Sequence, residues 1–225
     1  MDKKTYEWIE AYMNDCMEDA AHDKEHIYRV LYTAMDIAGT EENVDMDILI
    51  AACLLHDIGR KEQFENPQLC HAKVGGEKAY SFLRNNNFDE RFCRQVQSCI
   101  ETHRFRKDSP PQSIEARILF DADKLDVSGA IGIARTLIYI GQVSEPLYCV
   151  VDGKVSPGDN DPEHSFFTEY KYKLEKLYDH FYTSRGKFLA ERRKQAAESF
   201  YHSLYKEVND SYSLGESLLN QHLAL

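Results

Sequence analysis

Apolar residues in this chain recur at intervals of three and four far more often than in alternation. Ile27, Val30, Leu31, Ala34, Ile37 and Ala38 follow i, i+3, i+4, i+7 spacing, the stripe of a half-buried helix, with Asp23 placed to cap its start and Gly39 to stop it. A second, more buried helix opens at Asp45 or Asp47, runs through the unbroken apolar stretch Ile48 to Leu55, and ends at the Gly59 that follows His56-Asp57-Ile58. Helical periodicity returns over about 72–86, 89–103, 114–127, 129–141, 163–182 and 186–208. The one stretch suited to a tight hairpin is Tyr148-Cys149-Val150-Val151, then Asp152-Gly153, then Lys154-Val155. Pro157 to Pro162 reads as a linker, yet the helices after it are amphipathic and need the first part of the chain to cover them. The pattern predicts one all-α domain over 1–225. Its parts are a motif-bearing helical core over about 20–141, a loop over 142–162 with a short hairpin near 147–157, and C-terminal packing helices over 163–221.

Composition narrows the function classes. With 38 acidic against 27 basic residues the net charge is -11, which repels a phosphate backbone and argues against bulk nucleic acid as a partner. The longest apolar run, Ile48 to Leu55, is far short of the roughly 18 residues a membrane span needs. Lys3 and Lys4 are followed by Tyr6-Glu7-Trp8-Ile9-Glu10 where a secretory signal would carry an apolar stretch, so a cytoplasmic location is expected. Six cysteines form no C-x-x-C pair, and Cys53 lies inside the apolar run. Buried free thiols fit better than disulfides or a thiolate zinc site.

The chemistry concentrates where polarity interrupts apolar helices. His56 and Asp57 directly follow Ile48 to Leu55, and burying an imidazole beside a carboxylate is costly unless the two are paired or bind a metal. A His-Asp hydrogen bond is the plainer alternative. In Leu119-Phe120-Asp121-Ala122-Asp123-Lys124-Leu125-Asp126 three acids break another apolar helix. Asp123 and Asp126 are one turn apart, while Asp121 lies about 200° around from Asp123, so at most one of that last pair faces a given site.

The order His26 in "HDKEHIYRV", His56-Asp57 in "LLHDIGR" and Asp123 in "DADKLDVSGAIGIAR" resembles the H…HD…D signature of the HD superfamily of metal-dependent phosphohydrolases. With the later stretch "YKLEKLYDHFYTSRGKFLAERR", the chain is similar to small stand-alone bacterial HD-domain hydrolases over roughly 20–208. The resemblance implies an HD-type helical bundle in which His26, His56, Asp57 and Asp123 bind one divalent ion. Such a nitrogen and oxygen donor set suits Mn, Mg, Fe, Co or Ni and leaves positions for water or a phosphate oxygen. A bound water acidified toward neutral pH would supply the nucleophile, with Asp57 helping to orient or deprotonate it.

His71, with Gly75 four residues on, resembles the extra-histidine motif of binuclear HD phosphodiesterases. Near His103, however, the chain reads "ETHRFRKDSPP" where those enzymes carry a Gly-Tyr-Pro motif. His71 and His103 are therefore candidates for a catalytic role, for contacting phosphate, for acting as general acid, or for a second metal. Arg60 and Lys61 stand one turn past the HD pair, where related monophosphate-cleaving enzymes commonly carry acids. Bases adjoin every motif. Arg29, Arg60, Lys61, Arg104 and Lys124 are the candidate substrate-binding residues, with Lys73, Arg106, Lys107 and Arg135 nearby, and together they suit a small anion. The aromatic stripe from Phe166 to Tyr182 fits helical packing better than base stacking.

The expected function is hydrolysis of a nucleotide or similar small phosphoester by attack of metal-bound hydroxide, with release of pyrophosphate from a nucleoside triphosphate favoured by the basic residues. A binuclear phosphodiesterase, a diiron oxygenase and a non-catalytic nucleotide-binding module are the alternatives.

Overall fold

Short acidic and hydroxyl side chains start the helices of this chain. Asp2 accepts from the Thr5 amide at the head of α1 (Lys3–Cys16), and Asp45 from the Asp47 and Ile48 amides at the head of α3 (Met46–Leu55). Asp89 caps α6 (Glu90–Glu101) and Ser113 caps α7 (Ile114–Leu125) in the same way. The computed structural model describes residues 1–17, 24–104 and 109–224; the expected cap Asp23 and the basic residues Arg106 and Lys107 lie outside them. Helices α2 (Lys24–Ala38), α4 (Arg60–Glu65) and α5 (His71–Asn85) complete the first of two compact units, which comprises Met1–Asp126 with Phe181–Lys187. Its core is the predicted stripe: Ile27, Val30, Ile37, Leu49, Leu54, Leu55, Ile58 and Leu119 are fully or almost fully buried.

Two close backbone approaches shape this unit. A Cβ on Gly59 would stand 2.3 Å from the His71 carbonyl oxygen and 2.6 Å from the Gly75 nitrogen, so only glycine lets the turn after His56-Asp57 rest on the first turns of α5. Lys78 of α5 then donates to the Ile58 carbonyl at 2.8 Å and to Glu62 at 2.7 Å, tying that turn and α4 to α5. On the opposite side of α7 from Asp123, buried Asp121 accepts from the amides of Tyr182 and Thr183 and from the Thr183 hydroxyl. Thr183 in turn caps α10 (Ser184–Leu223) through the Gly186 amide.

The second unit, Val127–His180 with Phe188–Leu225, contains α8 (Gly129–Gln142), the hairpin β1 (Val150–Val151) and β2 (Lys154–Val155), α9 (Phe166–Glu169) and most of α10. The hairpin pairs Val150 with Val155 and Val151 with Lys154, and Asp152 and Gly153 both have positive φ, as a two-residue turn of this kind requires. After α9 the chain widens into a π-turn over Tyr170–Leu174 and tightens into a 3₁₀ turn over Leu177–Asp179, so the expected helix over 163–182 is interrupted. The aromatic stripe packs: Phe166, Phe167 and Tyr170 are buried, and Tyr170 stacks on Tyr201 at 4.0 Å between ring centroids. The fold is all-α, with β1 and β2 its only sheet among the described residues. None of the six cysteines, all among the described residues, forms a disulfide, and four are buried. Among the described residues no helix is long and apolar enough to cross a membrane.

Candidate metal centre

Helices α2 and α7 lie side by side, and each carries a pair of polar residues one turn apart: His26 and Arg29 on the first, Asp123 and Asp126 on the second. The pairs face each other. His26 Nε2 is 3.3 Å from Asp123 Oδ1, while Arg29 binds Asp126 with two nitrogens, Nε at 2.7 Å and Nη2 at 3.1 Å. Between them, His26 Nδ1 donates to Asp126 Oδ2 at 2.7 Å. Asp126 thus fixes the ring of His26, and the sequence reading gave it no such role. The signal for it was the matched i, i+3 offset on the two helices.

The C-terminal end of α3 delivers His56 and Asp57 to the same place. His56 Nδ1 donates to the Cys53 carbonyl at 2.7 Å, which turns Nε2 to within 3.3 Å of His26 Nε2. Asp57 Oδ2 lies 3.5 Å from His26 Nε2 and 3.7 Å from His56 Nε2. His26, His56 and Asp123 therefore form one group with ligand atoms close enough to share an ion, and Asp57 Oδ2 borders it.

A second group, Asp57, His71 and His103, adjoins the first through the same carboxylate. Asp57 Oδ1 is 3.4 Å from His71 Nε2 and 3.7 Å from His103 Nε2, and these two ring nitrogens are 3.3 Å apart. Behind them, His103 Nδ1 donates to the Ile100 carbonyl at 2.6 Å, and His71 Nδ1 donates to Gln63 Oε1 at 2.5 Å. Gln63 Nε2 donates to the Leu69 carbonyl, which fixes which of its atoms faces His71. Gln63 is a second contributor the sequence reading missed. It sits on α4, a helix too short to show a stripe.

All four imidazoles use Nδ1 as an outward donor and point Nε2 inward. Burial pushes the His56 imidazole down to about 4 and that of His71 down to about 3, so both present a bare Nε2 lone pair at neutral pH. His26 is the opposite case. Burial pulls it down, but the bonds to Asp123, Asp126 and Asp57 outweigh that and raise it to about 11. Burial likewise opposes ionisation of Asp57, yet His56, Arg60 and His26 hold it well below the ordinary carboxylate range. Without an ion, a proton on His26 Nε2 answers the two carboxylates. Asp57 Oδ1 is buried and accepts no hydrogen bond. The donor set fits a divalent ion, which can replace that proton and satisfy the carboxylates.

The remaining expected residues are placed as follows. Arg60 Nε is 2.9 Å from Asp57 Oδ1, and Arg104 Nη1 is 4.0 Å from the Cys70 sulfur beside His71. Lys124 Nζ sits 5.3 Å above the Phe120 ring and 5.2 Å from that of Phe181. Lys61 is exposed on α4. Arg29 is engaged by Asp126 with its side chain still 34% exposed, and Asp123 is 23% exposed, so the first group has an edge toward solvent.

Residues 24–128 match the HD domain family. Protein YpgQ of Bacillus subtilis (strain 168) is 29% identical over 201 residues, 89% of this chain and 90% of that one. The crystal structure of YpgQ in complex with ADP superposes with a TM-score of 0.70 at 26% identity, covering 90% of this chain and 97% of that chain. An HD-superfamily hydrolase from Bacillus thuringiensis gives a TM-score of 0.70 at 29% identity over 92% of this chain and 98% of that chain.

Proposed function

We propose that this chain, a metal-dependent phosphohydrolase of the HD superfamily, hydrolyses a nucleotide, with one divalent ion held by His26, His56, Asp57 and Asp123. The observation that carries the reading is the inward turn of the Nε2 atoms onto two carboxylates, with each Nδ1 occupied behind. The mixed imidazole and carboxylate donor set admits Mn²⁺, Fe²⁺, Co²⁺ or Ni²⁺, and Mg²⁺ through its carboxylates. When bound, the ion supplies positive charge for a phosphoryl oxygen and lowers the pKa of a water near it.

The chain's own residues do the rest. Asp57, held ionised, can accept a hydrogen bond from water and orient it, and its low basicity makes it a weak proton acceptor unless the water is itself acidified. His71 enters as a lone-pair donor: with Nδ1 committed to Gln63 and its imidazole pushed down to about 3 by burial, it has no Nε2 proton to give a leaving group near neutral pH. That disfavours His71 as general acid and leaves it to orient water. His103 shares that geometry. Arg60 and Arg104 beside this group, with Lys61, suit the phosphates of a nucleotide, and the ADP bound to YpgQ supports the same ligand class here. Arg29, bound to Asp126 and partly exposed, keeps a cation near the open edge of the first group, and Lys124 packs over the Phe120 and Phe181 rings.

The favoured reaction is cleavage of a nucleoside triphosphate to monophosphate and pyrophosphate in the cytoplasm, by one domain spanning the chain. The Asp57, His71 and His103 group favours a second reading, a binuclear phosphodiesterase or diiron oxygenase. The test is a panel of nucleoside tri-, di- and monophosphates with Mn²⁺ or Mg²⁺, scoring phosphate and pyrophosphate separately. Pyrophosphate from triphosphates is expected. Turnover retained by Asp57→Ala, or an oxygen-dependent product without phosphate release, overturns the reading.

A further inference from the structure

Asp57 serves both groups with different atoms, Oδ2 toward His26 and His56, Oδ1 toward His71 and His103. By donor count the second group could hold an ion of its own. Its charge balance differs from the first. Facing Oδ1 at 2.9 Å is the Nε of Arg60, fixed three residues on at the first turn of α4. No hydrogen bond ends on Oδ1, so the guanidinium is there as a neighbouring charge rather than as a well-aligned donor. Arg104 adds a second cation on the same side, next to Cys70 and His71. The first group keeps an excess of carboxylate: Asp123 and Asp57 stand in front of His26 and Asp126 behind it, while the one arginine there, Arg29, is bound to Asp126 and not to the two in front.

An ion entering the second group would find one buried carboxylate oxygen, already compensated, and the Arg60 charge 2.9 Å from it on a side chain 38% exposed, so the repulsion is partly screened by solvent and acts through this short distance. We propose that Arg60 is the resident cation of the Asp57, His71 and His103 group and limits this protein to one tightly bound divalent ion. The inference rests on the reading above that the first group is the metal site. It makes Arg60 a determinant of metal stoichiometry as well as a candidate phosphate ligand. His71 and His103 then remain open to water and substrate because no second ion occupies their lone pairs. Charge is the operative property, so lysine can substitute for arginine here and glutamine cannot.

The experiment loads purified full-length protein with Mn²⁺, removes loosely held ion by gel filtration, counts manganese per chain by mass spectrometry, and records electron paramagnetic resonance spectra for spin-coupled pairs. Wild type and Arg60→Lys are expected to hold one uncoupled ion, Arg60→Gln two coupled ions, and Arg60→Gln/His71→Ala one again. Circular dichroism melts of the loaded proteins show whether each variant is folded, and the Arg60→Lys result stands even where Arg60→Gln does not fold. Two coupled ions in wild type, a coupled pair in Arg60→Lys, or a single ion in folded Arg60→Gln overturns the proposal. Manganese retained by Asp123→Ala, or none in wild type, instead overturns the underlying assignment of the first group and the proposal with it.

Discussion

Behind His26 stands a carboxylate, and behind His71 an amide. The two groups that meet at Asp57 have similar inward geometry, each with a pair of Nε2 atoms 3.3 Å apart, and differ in what supports and surrounds them. On the first side Asp123, Asp126 and Asp57 together outweigh burial and make His26 basic enough to keep a proton up to about 11, with Asp126 clamped by Arg29. On the second, burial, helped by the nearby Arg60 and Arg104, leaves His71 neutral down to about 3, and its Nδ1 is held by the uncharged Gln63. Donor atoms alone therefore do not make two equal metal sites. On the reading proposed above, the charges one layer out favour the cation at the first group and leave the second to water and an anionic substrate.

The largest effect falls on the residue both groups share. Asp57→Ala should lower kcat by about 1000-fold or more, because it removes a ligand and a proton acceptor together. Steady-state hydrolysis with saturating Mn²⁺ measures it, and a loss under tenfold breaks the picture of a shared carboxylate. Next, Asp126→Asn should weaken Mn²⁺ binding by about 10- to 100-fold, as loss of a supporting carboxylate does at metal-bound histidines. Calorimetric titration reads that affinity directly, and Gln63→Ala should leave it within a few-fold while lowering kcat.

Acidity separates the groups again. Binding an ion at the first group must displace the His26 proton, so apparent Mn²⁺ affinity should fall about tenfold for each pH unit lowered between 9 and 7. His71, already deprotonated in that range, contributes nothing to the slope. A flat affinity profile would place the ion away from His26. The smallest effect is on the metal-free fold. His56 and His71 have folded-state values of about 4 and about 3, against 6.5 when unfolded. Below 6.5 the unfolded chain binds more protons, so these two residues should make stability decline as pH falls from 6.5 toward 4. Urea midpoints of chelator-treated protein across that range test the sign, with His71→Gln showing a shallower decline.

The first group was legible in the sequence because its residues break strong patterns. His56 and Asp57 end the most apolar helix in the chain, and Asp123 interrupts another. The hairpin was legible through Asp152-Gly153. Where the pattern is weak, reading failed. Helix α1 buries only Ile9 and Met13, and α4 buries nothing, so neither leaves a stripe. Helix α10 runs on to Leu223 through residues that are exposed from 210 onward, where no burial marks the chain as helical. The pairing of Arg29 with Asp126 also left no signal, because the two are far apart in sequence. Only the packing of α2 on α7 brings the two together.

Anomalous diffraction at the manganese edge from crystals grown with Mn²⁺ locates the ion itself. One strong peak per chain is expected, within about 2.0–2.3 Å of His26 Nε2, His56 Nε2, Asp57 Oδ2 and an Asp123 oxygen, donor distances ordinary for such ions. Equal peaks at both groups, or a single peak against His71 and His103, would contradict that expectation.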